Sequence, residues 1–175
     1  MRSAHMMLLP MMVFLAPSAA AQRSAQPPAA CAGPEYHQFD FFAGDWDTYD
    51  VAAPAKVIAR NRVTPMAGGC ALREVYRQDD GLLGESFSMY DAGRRVWHQS
   101  WVTSRGQLLL LEGAFADGRM VLTATEHGPG GETSFLRGTW WRIPGAVRET
   151  AERSRDGGRT WTPVFDIVFR PHQRR

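Results

Sequence analysis

Lysine is almost missing from this chain. Lys56 is the only one, so nearly all of the positive charge is arginine. Charges of both signs alternate along the sequence around a net +2, with no basic block. That distribution argues against a nucleic-acid partner and against electrostatic attachment to a membrane surface. Cysteine is scarce: Cys31 and Cys70 are too few for a cysteine-only zinc site. His37, His98, His127 and His172 are scattered, without the H-x-H or H-E-x-x-H spacing of a metal site. No G-x-S-x-G elbow occurs, and Ser86, Ser100 and Ser134 have no flanking pattern that would activate them. The glycines punctuate turns and form no phosphate-cradling loop. No metal and no cofactor is therefore expected, and the chain leans away from enzymes.

Long apolar runs are also missing. The most apolar stretch, Met6 to Leu15, is too short to span a bilayer, which takes about 20 apolar residues. With Arg2 before it and Ala19-Ala20-Ala21 after it, this stretch reads as a secretory signal peptide over residues 1–21. A periplasmic or secreted protein with no membrane anchor after cleavage is the expectation. In such an oxidising compartment Cys31 and Cys70 are a candidate disulfide, with two free thiols or lipid attachment at Cys31 as the alternatives.

What the chain does have is a β rhythm. After a flexible lead-in at residues 22–34, short alternating and aromatic runs are separated by Gly, Asp and Pro. The expected strands are Trp46–Val51, Val57–Thr64, Ala71–Gln78, Gly84–Tyr90 and Val96–Val102. They continue with Gln107–Phe115, Arg119–Glu126, Thr133–Ile143, Val147–Ser154 and Thr160–Arg170. Short turns make sequence neighbours antiparallel partners. A meander of about ten strands exposes two edges unless it closes. The expected fold is thus all-β, a single up-and-down barrel over residues 35–172. Pro34–Phe42, a short helical or irregular segment carrying Phe39, Phe41 and Phe42, is placed to plug one end.

Period-two alternation groups the polar residues that sit on otherwise apolar faces. Leu72, Glu74 and Tyr76 share a face, as do Trp97, Gln99 and Trp101. Phe135, Arg137, Thr139 and Trp141 share another, and Val147, Glu149 and Ala151 a fourth. If these faces point inward, the ligand-binding candidates are Glu74, Tyr76, Trp97, Gln99, Trp101, Arg137, Trp141 and Glu149. Arg137 would then serve both carboxylates, because buried charges need partners. A structural ion network, or the opposite register, is the alternative reading. His98 alternates with the tryptophans and so faces solvent if they face inward.

Ser154-x-Asp156-Gly157-Gly158-x-Thr160-Trp161 resembles the Asp-box of sialidase propeller hairpins, which occurs there in several copies and here once. It reads as a stabilised hairpin in which Asp156 bonds the turn backbone and Trp161 packs beneath. The opening Phe39-Asp40-Phe41-Phe42-Ala43-Gly44-Asp45-Trp46 resembles the F-D-F-W-x-G-[DE]-W motif of an uncharacterised family of bacterial, often secreted, domains. The likeness continues through Gly69 to Glu74, Tyr90-Asp91 and Trp97 to Val102, and ends in the Asp156 turn. Phe42 stands where that family usually has Trp, and Ala151 where Trp is common, which would open space beside Glu149. The resemblance implies a calycin-like barrel, akin to lipocalins and nitrobindin, and no established activity. The lipocalin-like Gly44-x-Trp46 opening further implies that Trp46 packs against a late arginine, for which Arg170 is the candidate by position. The function expected is binding of a small apolar or amphipathic ligand in the interior. The alternatives are an enzyme using a cavity carboxylate as general base, a haem or nitric-oxide binder, and a protein-interaction module with a filled barrel.

Overall fold

The computed structural model describes residues 30–173. The expected signal peptide at residues 1–21 and most of the expected lead-in lie outside them. Ten strands follow one another: β1 (Gly44–Asp50), β2 (Val57–Met66), β3 (Ala71–Gln78), β4 (Leu83–Asp91) and β5 (Val96–Thr103). After them come β6 (Leu108–Ala116), β7 (Arg119–His127), β8 (Thr133–Ile143), β9 (Ala146–Ser154) and β10 (Thr162–Pro171). Each pairs antiparallel with the next, and β10 returns to β1, so the sheet is a closed barrel with no free edge.

β2 runs past the expected stop at Pro65. Proline has no N–H for a ladder, but the β1–β2 ladder ends at Gly44 and Val63, while the β2–β3 ladder continues to Met66 and Ala71. Pro65 thus has no β1 residue beside it to be denied a bond. β10 starts later than expected, at Thr162, because residues 156–161 belong to the turn.

One end of the barrel is filled. Pro34–Phe42 forms two 3-10 turns, Pro34–His37 and Asp40–Phe42, rather than one helix. At 100° per residue an α-helix would spread positions 39, 41 and 42 around its axis. The broken path lets all three rings enter the barrel. Phe39 stacks on Phe42 and meets Trp97 and Trp140 edge-on at 5.8 and 5.6 Å between centroids. Burying a ring of this size contributes roughly 1.5–3 kcal/mol. Two of the indole N–H groups at the plug are satisfied locally: Trp46 Nε1 donates to the Phe42 carbonyl at 2.9 Å and Trp97 Nε1 to Gln38 Oε1 at 3.0 Å. The Cys31–Cys70 disulfide is formed and ties the segment before the plug to the start of β3.

The expected pairing of Trp46 with Arg170 does not form. The first and last strands do meet, but Trp46 lies opposite Pro171, and Arg170 opposite Asp47. Period two therefore puts Trp46 inside and Arg170 outside. The Arg170 guanidinium covers the Tyr49 ring at 4.2 Å and donates to the Pro54 carbonyl.

The Asp156 turn closes β9 onto β10 as its residue types imply. Asp156 Oδ1 accepts from the amides of Arg159 and Thr160 at 3.0 and 2.9 Å, and Oδ2 from the Thr160 hydroxyl. Gly157 and Gly158 take the positive φ values, +75° and +86°, that the bend requires. Trp161 Nε1 donates back to the Gly158 carbonyl.

Candidate functional site

The other half of the barrel is hollow. A cavity of about 420 Å³ opens at the end where β1 finishes, and its floor is Trp140 and Phe169, the residues that cap the aromatic plug. Its walls are chiefly apolar: Trp101, Leu109, Leu111, Leu136, Ile167 and Phe165.

One polar cluster breaks that wall. β3 alternates Leu72, Glu74, Tyr76 and Gln78 inward, and Glu74 is buried. Its Oε1 accepts from Asn61 Nδ2 of β2 and its Oε2 from the Ser86 hydroxyl of β4, both at 2.8 Å. Gln99 of β5 donates to Ser86 at 3.3 Å and to Ser88 at 3.1 Å, which completes a belt across four strands. Burial raises the Glu74 pKa, and the bonds from Ser86 and Asn61 oppose that rise.

Glu149 of β9 lines the cavity beside Ala151. Its pKa is raised well above the usual carboxylate range, first by burial and then by repulsion from Glu74. Trp140 stands directly opposite it across the β8–β9 ladder. The indole N–H acts to favour the charged carboxylate, yet it stops short of a full hydrogen bond. Thr48 Oγ1 and Asn61 Oδ1 are likewise buried without partners. Tyr76 touches Trp101 edge-on at 6.1 Å, and burial followed by the carboxylates Glu149 and Glu74 pushes its phenol pKa up.

The cation at the cavity wall is Arg153, and Glu126 holds it through both carboxylate oxygens at 2.8 and 3.1 Å. The Glu74–Glu149 pair therefore faces no free positive charge among the described lining residues.

Of the eight sequence-derived site residues, Glu74, Tyr76, Gln99, Trp101 and Glu149 line this cavity. Trp97 faces inward but is buried in the aromatic plug instead. Arg137 and Trp141 are corrected: β8 turns Leu136, Gly138 and Trp140 inward and these two outward. Arg137 bonds Glu152 at 2.8 Å and stacks over Trp161, while Trp141 sits under Arg119 and Arg148 on the outer wall. His98 also faces outward, bonded to Glu112 and Ser100.

Asn61, Ser86, Ser88 and Trp140 were not anticipated. Asn61 had a signal, since it sits between Ala59 and Val63 on one strand face. Ser86 and Ser88 were masked by Phe87 and Met89, which look like core residues and are about half exposed on the outside. No family model matches the chain, and no curated protein matches its sequence.

Proposed function

We propose that this chain is an exported, non-enzymatic barrel protein that binds a small, mainly apolar ligand in its interior. The observation that carries this reading is the cavity of about 420 Å³, closed at one end by aromatic residues and open at the other. Pockets of a few hundred Å³ with apolar walls and a few convergent polar groups are the usual form of a small-molecule site. The closed meander supports the calycin likeness of the opening motif. The Cys31–Cys70 bond supports an oxidising compartment, and with it removal of residues 1–21 and a periplasmic or secreted protein.

A catalytic reading is favoured by one observation. Glu149 has a raised proton affinity in a cleft, a common property of general acids and bases. A haem or nitric-oxide site finds no histidine, cysteine or methionine among the residues lining the cavity.

Native mass spectrometry of the purified full chain tests the binding reading, followed by extraction and identification of what co-purifies. A stoichiometric small molecule, or saturable quenching of Trp101 and Trp140 by added amphiphiles, is the expected result. A barrel that takes up none of them overturns the reading.

A further inference from the structure

The charged groups that line the cavity are mostly acidic. The ionisable groups that line the cavity with Glu149 are Glu74 and Tyr76 from β3, Asp50 from β1 and Arg153 from its own strand. β8 and β10 contribute only apolar residues and glycine to the lining. Arg153 is neutralised by Glu126. A carboxylate headgroup would therefore enter a site that already holds acidic groups and offers no free cation. A hydroxyl headgroup would find acceptors but leave the acidic pair uncompensated.

An ammonium changes both terms. It brings three N–H donors and one positive charge, and hydrogen bonds to charged groups are the stronger kind. One orphaned group bears on the ionisation of the site. Trp140 lines the cavity, is nearly fully buried, and its Nε1 lacks an acceptor; an ionised Glu149 opposite supplies one. The aromatic side chains of Trp101, Tyr76 and Trp140 line the same cavity, and aromatic rings are suited to a cation.

Resting on the reading of the cavity as a ligand site, we propose that the ligand is an amphipathic primary amine, bound as its ammonium at the Glu74 and Glu149 carboxyls with its apolar body against Trp101, Leu109 and Leu136. The bound state is a carboxylate–ammonium contact. Where Glu149 is protonated beforehand, its proton leaves to the buffer as the amine binds.

Octylamine, 1-octanol and octanoate test this on the full disulfide-bonded chain near neutral pH, by tryptophan fluorescence and calorimetry. Octylamine is expected to bind about tenfold or more tighter than octanol, with octanoate weakest. Its heat should vary with the ionisation enthalpy of the buffer, reporting proton release. In Glu149→Gln the octylamine-to-octanol affinity ratio should collapse toward about one. Saturable octanol or octanoate binding as tight as octylamine would overturn the amine assignment while leaving the cavity as a ligand site. If none of the three saturates, the binding reading fails and the amine assignment with it. The wild-type series decides the matter even if the variant folds poorly.

Discussion

Replacing Glu149 by Gln should stabilise the free protein, and only at neutral to alkaline pH. In the folded state this carboxyl lies in the cavity with no completed hydrogen bond and with Glu74 as its charged neighbour. Unfolded, it titrates near the ordinary value of 4.5. Because the folded pKa is the higher one, the native state binds more protons between the two values. The stability contributed by this group is therefore fully present below about pH 4.5 and is lost as pH rises through the folded pKa. Gln has nearly the same shape and cannot ionise. At pH 4, where both side chains are neutral, the exchange should be close to neutral. At pH 9 the unfolded chain is ionised there, so the wild type must either hold a desolvated, unpaired carboxylate or keep a proton the unfolded state has lost, at a cost on the order of 1–3 kcal/mol or more. For a domain of this size that is a rise in Tm of roughly 3–10 °C. Thermal unfolding followed by circular dichroism at pH 4, 7 and 9, with the disulfide intact, measures it. An equal gain at pH 4 and 9, or a loss at pH 9, would refute the reasoning.

Three other outcomes follow from the geometry. The double variant Cys31→Ser/Cys70→Ser should lose about 4 kcal/mol in denaturant unfolding, from a crosslink spanning 39 residues; intact mass with and without reduction confirms the bond in the parent. Arg137→Leu should cost no more than about 1 kcal/mol in the same assay, because its partners Glu152 and Trp161 are on the outer wall, whereas loss of a buried arginine would cost about 3–5 kcal/mol. Asp156→Asn should speed hydrogen exchange at the amides of Arg159 and Thr160. In the wild type, with the Asp156 pKa lowered to about 2, the same turn should hold above about pH 4 and loosen only as pH falls toward that value.

Much of the fold was legible because each hairpin carries its own punctuation. The ten strands, their order and the closure between β1 and β10 follow from turn spacing plus the cost of open edges. The disulfide partners were legible from there being only two cysteines, and the Asp156 turn from its side-chain chemistry. The plug was legible as a cluster of phenylalanines, but not as two 3-10 turns, because that path is set by three rings competing for one barrel end. The Trp46–Arg170 expectation failed by a single residue: closure brings the strands together, but strand parity decides which neighbour is inside.

The same parity problem decided the site. β8 carries Trp140 and Trp141 in tandem, so an aromatic residue lies on each face and hydrophobicity alone does not choose between them. Gly138 does choose. A Cβ at that position would overlap the Trp140 indole, so glycine marks the face on which the ring lies back along its own strand. Gly44 plays the same part for Trp46, and both tryptophans are inward. A Gly-x-Trp spacing within a strand of this barrel therefore identifies the interior face where simple alternation is ambiguous. Applied to β8, it removes Arg137 from the cavity and brings in Trp140. That exchange is what reverses the chemistry of the site. With an arginine inside, the two carboxylates would be internally neutralised and an anionic amphiphile would be the natural guest. With an indole N–H instead, the acidic pair has no free counter-charge among the described lining residues, and that is the charge the proposed ammonium headgroup would supply.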